Sequence, residues 1–198
     1  MGVLALIITL AMFQPCLLAN ASSSTGGVHL GSQQAALLQW KSTLRSSSAS
    51  LDSWRAGTSP CSSNWTGVVC GAVAHRGRRA TPQAVVRIDL PNAGVDGRLG
   101  ALNFSALPFL RYIDLSYNSL RGEIPRSIAS LPELSHLDLT GNRLHGHVPR
   151  EMGSMGSLTV LLLSLNNLTG TIPASIGNLT RLVQLTIHKT SLIGSIPE

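Results

Sequence analysis

Charged and aromatic residues are scarce in this chain: 12% of its 198 residues are charged, 4% are aromatic, and only three are cysteine. Each shortage narrows the function. No paired Cys-x-x-Cys or His-x-x-x-His is present, so a zinc site has no ligand set. Neither G-x-x-x-x-G-K-[ST] nor G-x-G-x-x-G occurs, which removes the common phosphate cradles. No kinase signature is found, and no second apolar run is long enough to carry one across a bilayer. An enzyme needs a nucleophile with its base, a metal cluster or a phosphate site, and with none of these no catalytic activity, cofactor or metal is expected. The net charge of +6 and pI near 10 allow an anionic partner. They do not read as a nucleic-acid surface, because no aromatic residues interleave with the basic ones.

What the sequence does contain begins with an apolar run from Val3 to Phe13, interrupted only by Thr9, followed by Pro15 and then Ala19, Asn20 and Ala21. An apolar core of about eleven residues before an A-x-A site reads as a secretory signal cut after Ala21; a span would need about 20 residues. No Lys or Arg precedes the run. Cleavage assigns residues 1–21 to the signal and directs the rest to an oxidising, extracellular compartment.

The strongest pattern is a 24-residue period running from Leu107 to the end. Leu107, Leu131, Met155 and Leu179 open four copies. Ile113, Leu137, Leu161 and Leu185 recur within them, as do Gly122, Gly146, Gly170 and Gly194, and then Pro125, Pro149, Pro173 and Pro197. A fixed period with L-x-x-L-x-L-x-x-N-x-L marks a leucine-rich repeat. A series of amphipathic helices is excluded, because the Gly and Pro of each L-x-G-x-I-P block would break one helix per copy. The fold expected is an α/β solenoid, a right-handed superhelix with short parallel strands on its concave face.

Within each copy the apolar–polar–apolar triplet around Ile113 predicts a short strand. Asn118, Asn142 and Asn166 fall where the chain leaves that strand and are expected to form an internal asparagine ladder to unpaired backbone groups. Thr190 occupies that position in the fourth copy and should make a looser rung. Residues around Ile88 and Leu90 form a degenerate first copy, one residue further from its neighbour, with Ala93 at the ladder position and Gly100 at the proline position. The repeats thus occupy 83–198. The array stops at Glu198 within a copy, which leads to the expectation of a longer parent protein.

Residues 22–82 precede the repeats. Apolar Leu37, Trp40 and Leu44 at helical spacing, with Ser32 as N-cap and Lys41 outward, predict a helix that covers the first row of the array. Removing Cys16 with the signal leaves Cys61 and Cys70, an even count that in a secreted chain argues for one disulfide stapling this cap. The stretch from Gly71 to Pro82, with His75, Arg76, Arg78 and Arg79, is expected to be an exposed hairpin tip.

Four sequons in the mature chain, at Asn64, Asn103, Asn167 and Asn178, predict glycans. Outward strand positions give a candidate ligand face: Arg111, Tyr112, Asp114, Ser116, Tyr117, His136, Asp138, Leu162, Leu165, Gln184 and His188. It shifts from polar and aromatic to aliphatic, which suits a peptide or protein groove. His145 and His147 also fall outward, with no nucleophile beside any histidine.

Trp40, Lys41, Trp54, Cys61, Trp65, Thr66, Gly67 and Cys70 resemble the amino-terminal cap of plant leucine-rich-repeat receptor kinases and receptor-like proteins. The Leu-x-Gly-x-Ile-Pro block is similar to the plant-specific repeat subtype, so the resemblance covers residues 33 to 198. The opening is similar to the branch that includes the pollen-tube-guidance-interacting receptor kinases. The long basic spacer departs from the usual cap. This resemblance implies the amino-terminal part of an ectodomain at the outer face of the plasma membrane or in the apoplast. It would recognise a peptide or protein ligand, pair with a co-receptor and signal through a kinase outside this chain. The alternative it leaves is a free secreted protein that inhibits a pathogen wall-degrading enzyme.

Overall fold

A computed structural model describes residues 30–45, 49–73 and 82–195. The expected signal at 1–21 and most of the basic spacer lie outside the described residues.

The repeats stack into a solenoid with two sheets. In the larger, strands β1 (Val68–Ala72), β2 (Gln83–Asp89), β3 (Tyr112–Asp114), β5 (His136–Asp138), β7 (Val160–Leu162) and β9 (Gln184–Thr186) lie side by side in that order. From β2 onward the pairing is parallel, and Ile88, Ile113, Leu137, Leu161 and Leu185 share one register. Ile88, Ile113, Leu137 and Leu161 point inward and are buried, so the alternation expected of each triplet is present.

A second parallel sheet, which the periodicity did not reveal, joins β4 (Arg121–Glu123), β6 (Arg143–Gly146), β8 (Asn167–Thr171) and β10 (Ser191–Ile193). Its strands coincide with the L-x-G-x-I-P block. The glycines there were read as residues that would break a helix. Gly122, Gly146 and Gly170 belong to strands and adopt φ of +86°, +77° and +83°, a region where an L side chain is strained. Three to five residues broken by a left-handed glycine carry no readable alternation. The proline that follows sits in extended backbone at 125, 149 and 173, and each leads into a five-residue 3₁₀ turn.

Between the sheets the leucine rows merge into one apolar core that runs from the cap to Leu179. Fully burying one such side chain contributes roughly 1.5–3 kcal/mol, and each row is covered by the row of the next copy. The ladder closes the remaining polar gaps. The Asn142 amide donates to Leu115 O of the preceding copy at 2.9 Å and to Leu139 O at 3.0 Å, while its Oδ1 accepts the Leu120 N–H at 3.0 Å. Asn118 and Asn166 repeat this with Leu90, Leu115 and Val95, and with Leu139, Leu163 and Leu144. Among the described residues Thr190 bonds only within its own copy, its hydroxyl donating to Ile187 O and accepting weakly from Leu192 N.

The cap differs from expectation in detail. Helix α1 runs Leu30–Ser42, so Ser32 lies inside it and Leu44 beyond it. The hydroxyls of Ser42 and Thr43 bond back to the carbonyls of Gln39 and Trp40 and compete with further helix. Leu44 instead packs against Gly97, where an added β-carbon would meet its Cδ2 at 2.6 Å. Lys41 is not turned out to solvent: its ammonium donates to Leu51 O and Trp54 O. Trp40, Trp54 and Trp65 are buried, with the last two stacked at 5.5 Å, and Trp40 Nε1 donates to Arg98 O in the repeats. Cys61 and Cys70 form a disulfide beside them. Closing so short a loop contributes on the order of 2–3 kcal/mol.

Candidate ligand-binding face

The outward residues of the larger sheet form two columns. Arg87, Tyr112, His136, Val160 and Gln184 share one register, and Asp89, Asp114, Asp138, Leu162 and Thr186 share the other. Sequence reasoning missed Arg87 and Asp89. Their place was available from the match of Ile88 and Leu90 to Ile113 and Leu115, had the degenerate copy been extended to its polar positions.

In the first column the groups stack. The Arg87 guanidinium lies 3.5 Å from the Tyr112 ring centroid, and the Tyr112 and His136 rings lie 4.2 Å apart at 9°. Burial pushes the Tyr112 hydroxyl above its ordinary pKa, and the charge of Asp114 pushes the same way, with Arg87 opposing.

In the second column the carboxylates differ in what holds them. Asp114 Oδ1 accepts the Ser116 N–H at 2.9 Å, and Asp138 Oδ1 accepts the Thr140 N–H at 2.8 Å. Two residues after Asp89 the chain has Pro91, which lacks an N–H. Asp89 turns instead to Arg87, 2.6 Å away. Among the described residues no cation forms an ion pair with Asp114 or Asp138, and Arg111 beside them is taken by Glu133 at 2.8 Å.

Beyond the columns the chain turns a left-handed corner in every copy. Asn92, Tyr117, Gly141, Leu165 and Lys189 have φ of 49°, 55°, 69°, 56° and 52°. Tyr117 stands on that corner 58% exposed, and Leu165 is half-buried. Ser116, expected outward, is buried, because the corner turns it beneath the rim. Gln184 and His188 are exposed, and His188 Nδ1 lies 2.9 Å from Ser164 Oγ. The face thus brings Arg111, Tyr112, Asp114, His136 and Asp138 together at one end and Leu162 and Leu165 next to them.

The remaining candidates lie elsewhere. Asn64, Asn103, Asn167 and Asn178 are all exposed, Asn64 within the disulfide loop and Asn167 on β8 of the second sheet. A cavity of about 540 Å³ beside that sheet is lined by Arg98, Arg121, Glu123 and His145. Arg121 there is paired with Asp96. Among the described residues no group of three or more His, Cys, Asp or Glu could hold a metal ion, and no helix is long and apolar enough to cross a membrane.

Comparison with known proteins gives a consistent result. Residues 30–71 match the family described as "Leucine rich repeat N-terminal domain", and residues 97–144 and 157–179 match leucine-rich-repeat families. MDIS1-interacting receptor like kinase 2 of Arabidopsis thaliana is 37% identical over 92 residues, 45% of this chain and 8% of that protein. The chain therefore spans a small part of the curated relatives it matches. A chain in the crystal structure of the BIR3–SERK2 complex from the same plant is 32% identical with a TM-score of 0.68, covering 82% of this chain and 84% of that one. The ectodomain of GASSHO1/SCHENGEN3, solved in complex with CASPARIAN STRIP INTEGRITY FACTOR 2, is 29% identical with a TM-score of 0.71, over 84% of this chain and 19% of that one.

Proposed function

The chain belongs to the leucine-rich-repeat ectodomains of plant receptor-like kinases and receptor-like proteins, and from that premise we propose that it is an extracellular recognition module whose concave sheet binds a peptide or protein ligand without catalysis. In this reading residues 1–21 are a secretory signal, 22–82 the cap and 83–198 the repeats, with glycans at Asn64, Asn103, Asn167 and Asn178. The observation that carries it is the in-register outward face of five parallel strands, in which the polar and aromatic positions of β2, β3 and β5 adjoin the aliphatic pair Val160 and Leu162 on β7. Such a surface offers hot-spot aromatics beside desolvated apolar contacts, a combination suited to protein and peptide partners. Two similar ectodomains were solved in complexes, one named for SERK2 and one with CASPARIAN STRIP INTEGRITY FACTOR 2. By analogy the parent receptor pairs with a co-receptor and signals through an intracellular kinase.

Selection of random displayed peptides on the immobilised, secreted full chain tests this. Enriched peptides are expected to lose binding to a Tyr112→Ala, Leu162→Ala variant and to keep it on an Arg143→Ala variant of the second sheet. Failure to enrich any peptide, or binding indifferent to the concave substitutions, overturns the reading.

A further inference from the structure

The chain carries nine acidic residues against fifteen Lys and Arg, yet three of the nine, Asp89, Asp114 and Asp138, stand opposite one another on adjacent strands. Like charges directly opposed in a sheet destabilise it. Arg87 relieves that repulsion only at Asp89. Asp114 and Asp138 each spend one oxygen on a local backbone N–H, which fixes the carboxylate's orientation. Their second oxygens accept no hydrogen bond among the described residues. On the next strand Leu162 continues the same register, with Val160 beside it and Leu165 on the corner.

From this row we infer that the ligand is an extended peptide that seats a Lys or Arg side chain between Asp114 and Asp138 and an apolar side chain two residues away on Leu162. The inference rests on the recognition reading above and specifies its ligand. Adjacent strands lie about 4.8 Å apart, so the midpoint between the two carboxylates is roughly 7 Å from Leu162 along the row. In an extended peptide, side chains on one face recur every second residue, about 6.6–6.8 Å apart. A cation at position i and an aliphatic or aromatic residue at i+2 or i−2 therefore match the carboxylate pair and Leu162. A guanidinium fork or an ammonium placed between the carboxylates forms charge-assisted hydrogen bonds to oxygens already oriented for it. Because the row is half-buried, the attraction is screened less than that of a fully exposed pair.

The test uses the same peptide selection, run in parallel on the full chain and on an Asp114→Asn, Asp138→Asn variant. Asparagine retains an acceptor for the Ser116 and Thr140 N–H groups, so the corner is kept while the charge is removed. On the native chain the enriched peptides should carry Lys or Arg two residues from an apolar side chain, with affinity falling as salt rises. On the variant the Lys/Arg preference should disappear, and a peptide taken from the first selection should bind about tenfold more weakly. The variant's thermal midpoint should be unchanged or raised, since repulsion is relieved. Peptides enriched without a cation, or a cation preference that survives the double substitution, overturn this inference and leave the recognition reading standing. Failure to enrich any peptide overturns both.

Discussion

The Tyr117 ring lies across Gly141 of the following copy, so that a β-carbon added to Gly141 would fall 2.7 Å from Tyr117 Cδ1. Both residues occupy the left-handed corner, at φ of 55° and 69°, and only one of the two is the residue for which that conformation is easy. Gly141→Ala should therefore cost about 1–2 kcal/mol for the backbone alone and push the Tyr117 ring off the rim. Thermal unfolding read together with the ring's NMR signals checks both effects. An alanine variant as stable as the parent would show that the corner is not strained.

Gln33 ties the cap to the repeats in a similar way. Its Oε1 accepts the Val85 N–H at 2.8 Å in a buried setting. That amide lies beside a bulge, where Cys70 pairs with Val85 and Val69 with Arg87. Replacing the acceptor in Gln33→Leu strands a buried donor and should destabilise the protein by about 1–3 kcal/mol, measured by chemical denaturation. Gln33→Glu keeps an acceptor and should preserve the Val85 bond, which slow exchange of that amide would show.

Thr190 interrupts the ladder, and Thr190→Asn should complete it. The new amide would lie opposite Leu163 O and Leu168 N, as Asn166 lies opposite Leu139 O and Leu144 N. A gain of about 1 kcal/mol and slower hydrogen exchange at Leu168 are expected. An unchanged exchange rate would mean that the last rung cannot adopt the geometry of the others.

Stability should fall in strongly alkaline solution. Tyr112 titrates above its ordinary value in the fold, chiefly from burial and then from Asp114. A raised folded pKa means the unfolded chain releases this proton first, so the contribution is complete below the ordinary tyrosine value of about 10 and disappears as pH rises through the folded value. Denaturation across that window should lose this component in Tyr112→Phe. Phenolate absorbance should place the Tyr112 titration at lower pH in urea than in buffer.

Much of this was legible in the sequence, because a period of 24 residues reports on stacking that every copy repeats. The asparagine positions and the outward residues of β3 and β5 follow from that register, and the pairing of Cys61 with Cys70 from the even count left once Cys16 is assigned to the signal. The second sheet was not legible, since its strands are short and run through Gly122, Gly146 and Gly170. Ser116 was misplaced for a related reason. Alternation was extended past Leu115, where the backbone has already entered the corner that ends it. Lys41 was placed outward from its position on the helix, and its partners at Leu51 and Trp54 lie on a separate segment.

By itself the sequence determined the repeat, the burial of one leucine row on the next and the polar ladder between them, because those depend on spacing that is local and repeated. Only the tertiary structure decided which charges remain unpaired. Asp89, Asp114 and Asp138 look equivalent in the period, and their difference arises from Pro91, which withholds an N–H, and from Arg87, which is thereby drawn to one carboxylate and not the others. The contacts that dock the cap, Gln33 to Val85 and Trp40 to Arg98, cross 52 and 58 residues. No periodic pattern encodes such pairs, since each is made once, where two unlike segments meet.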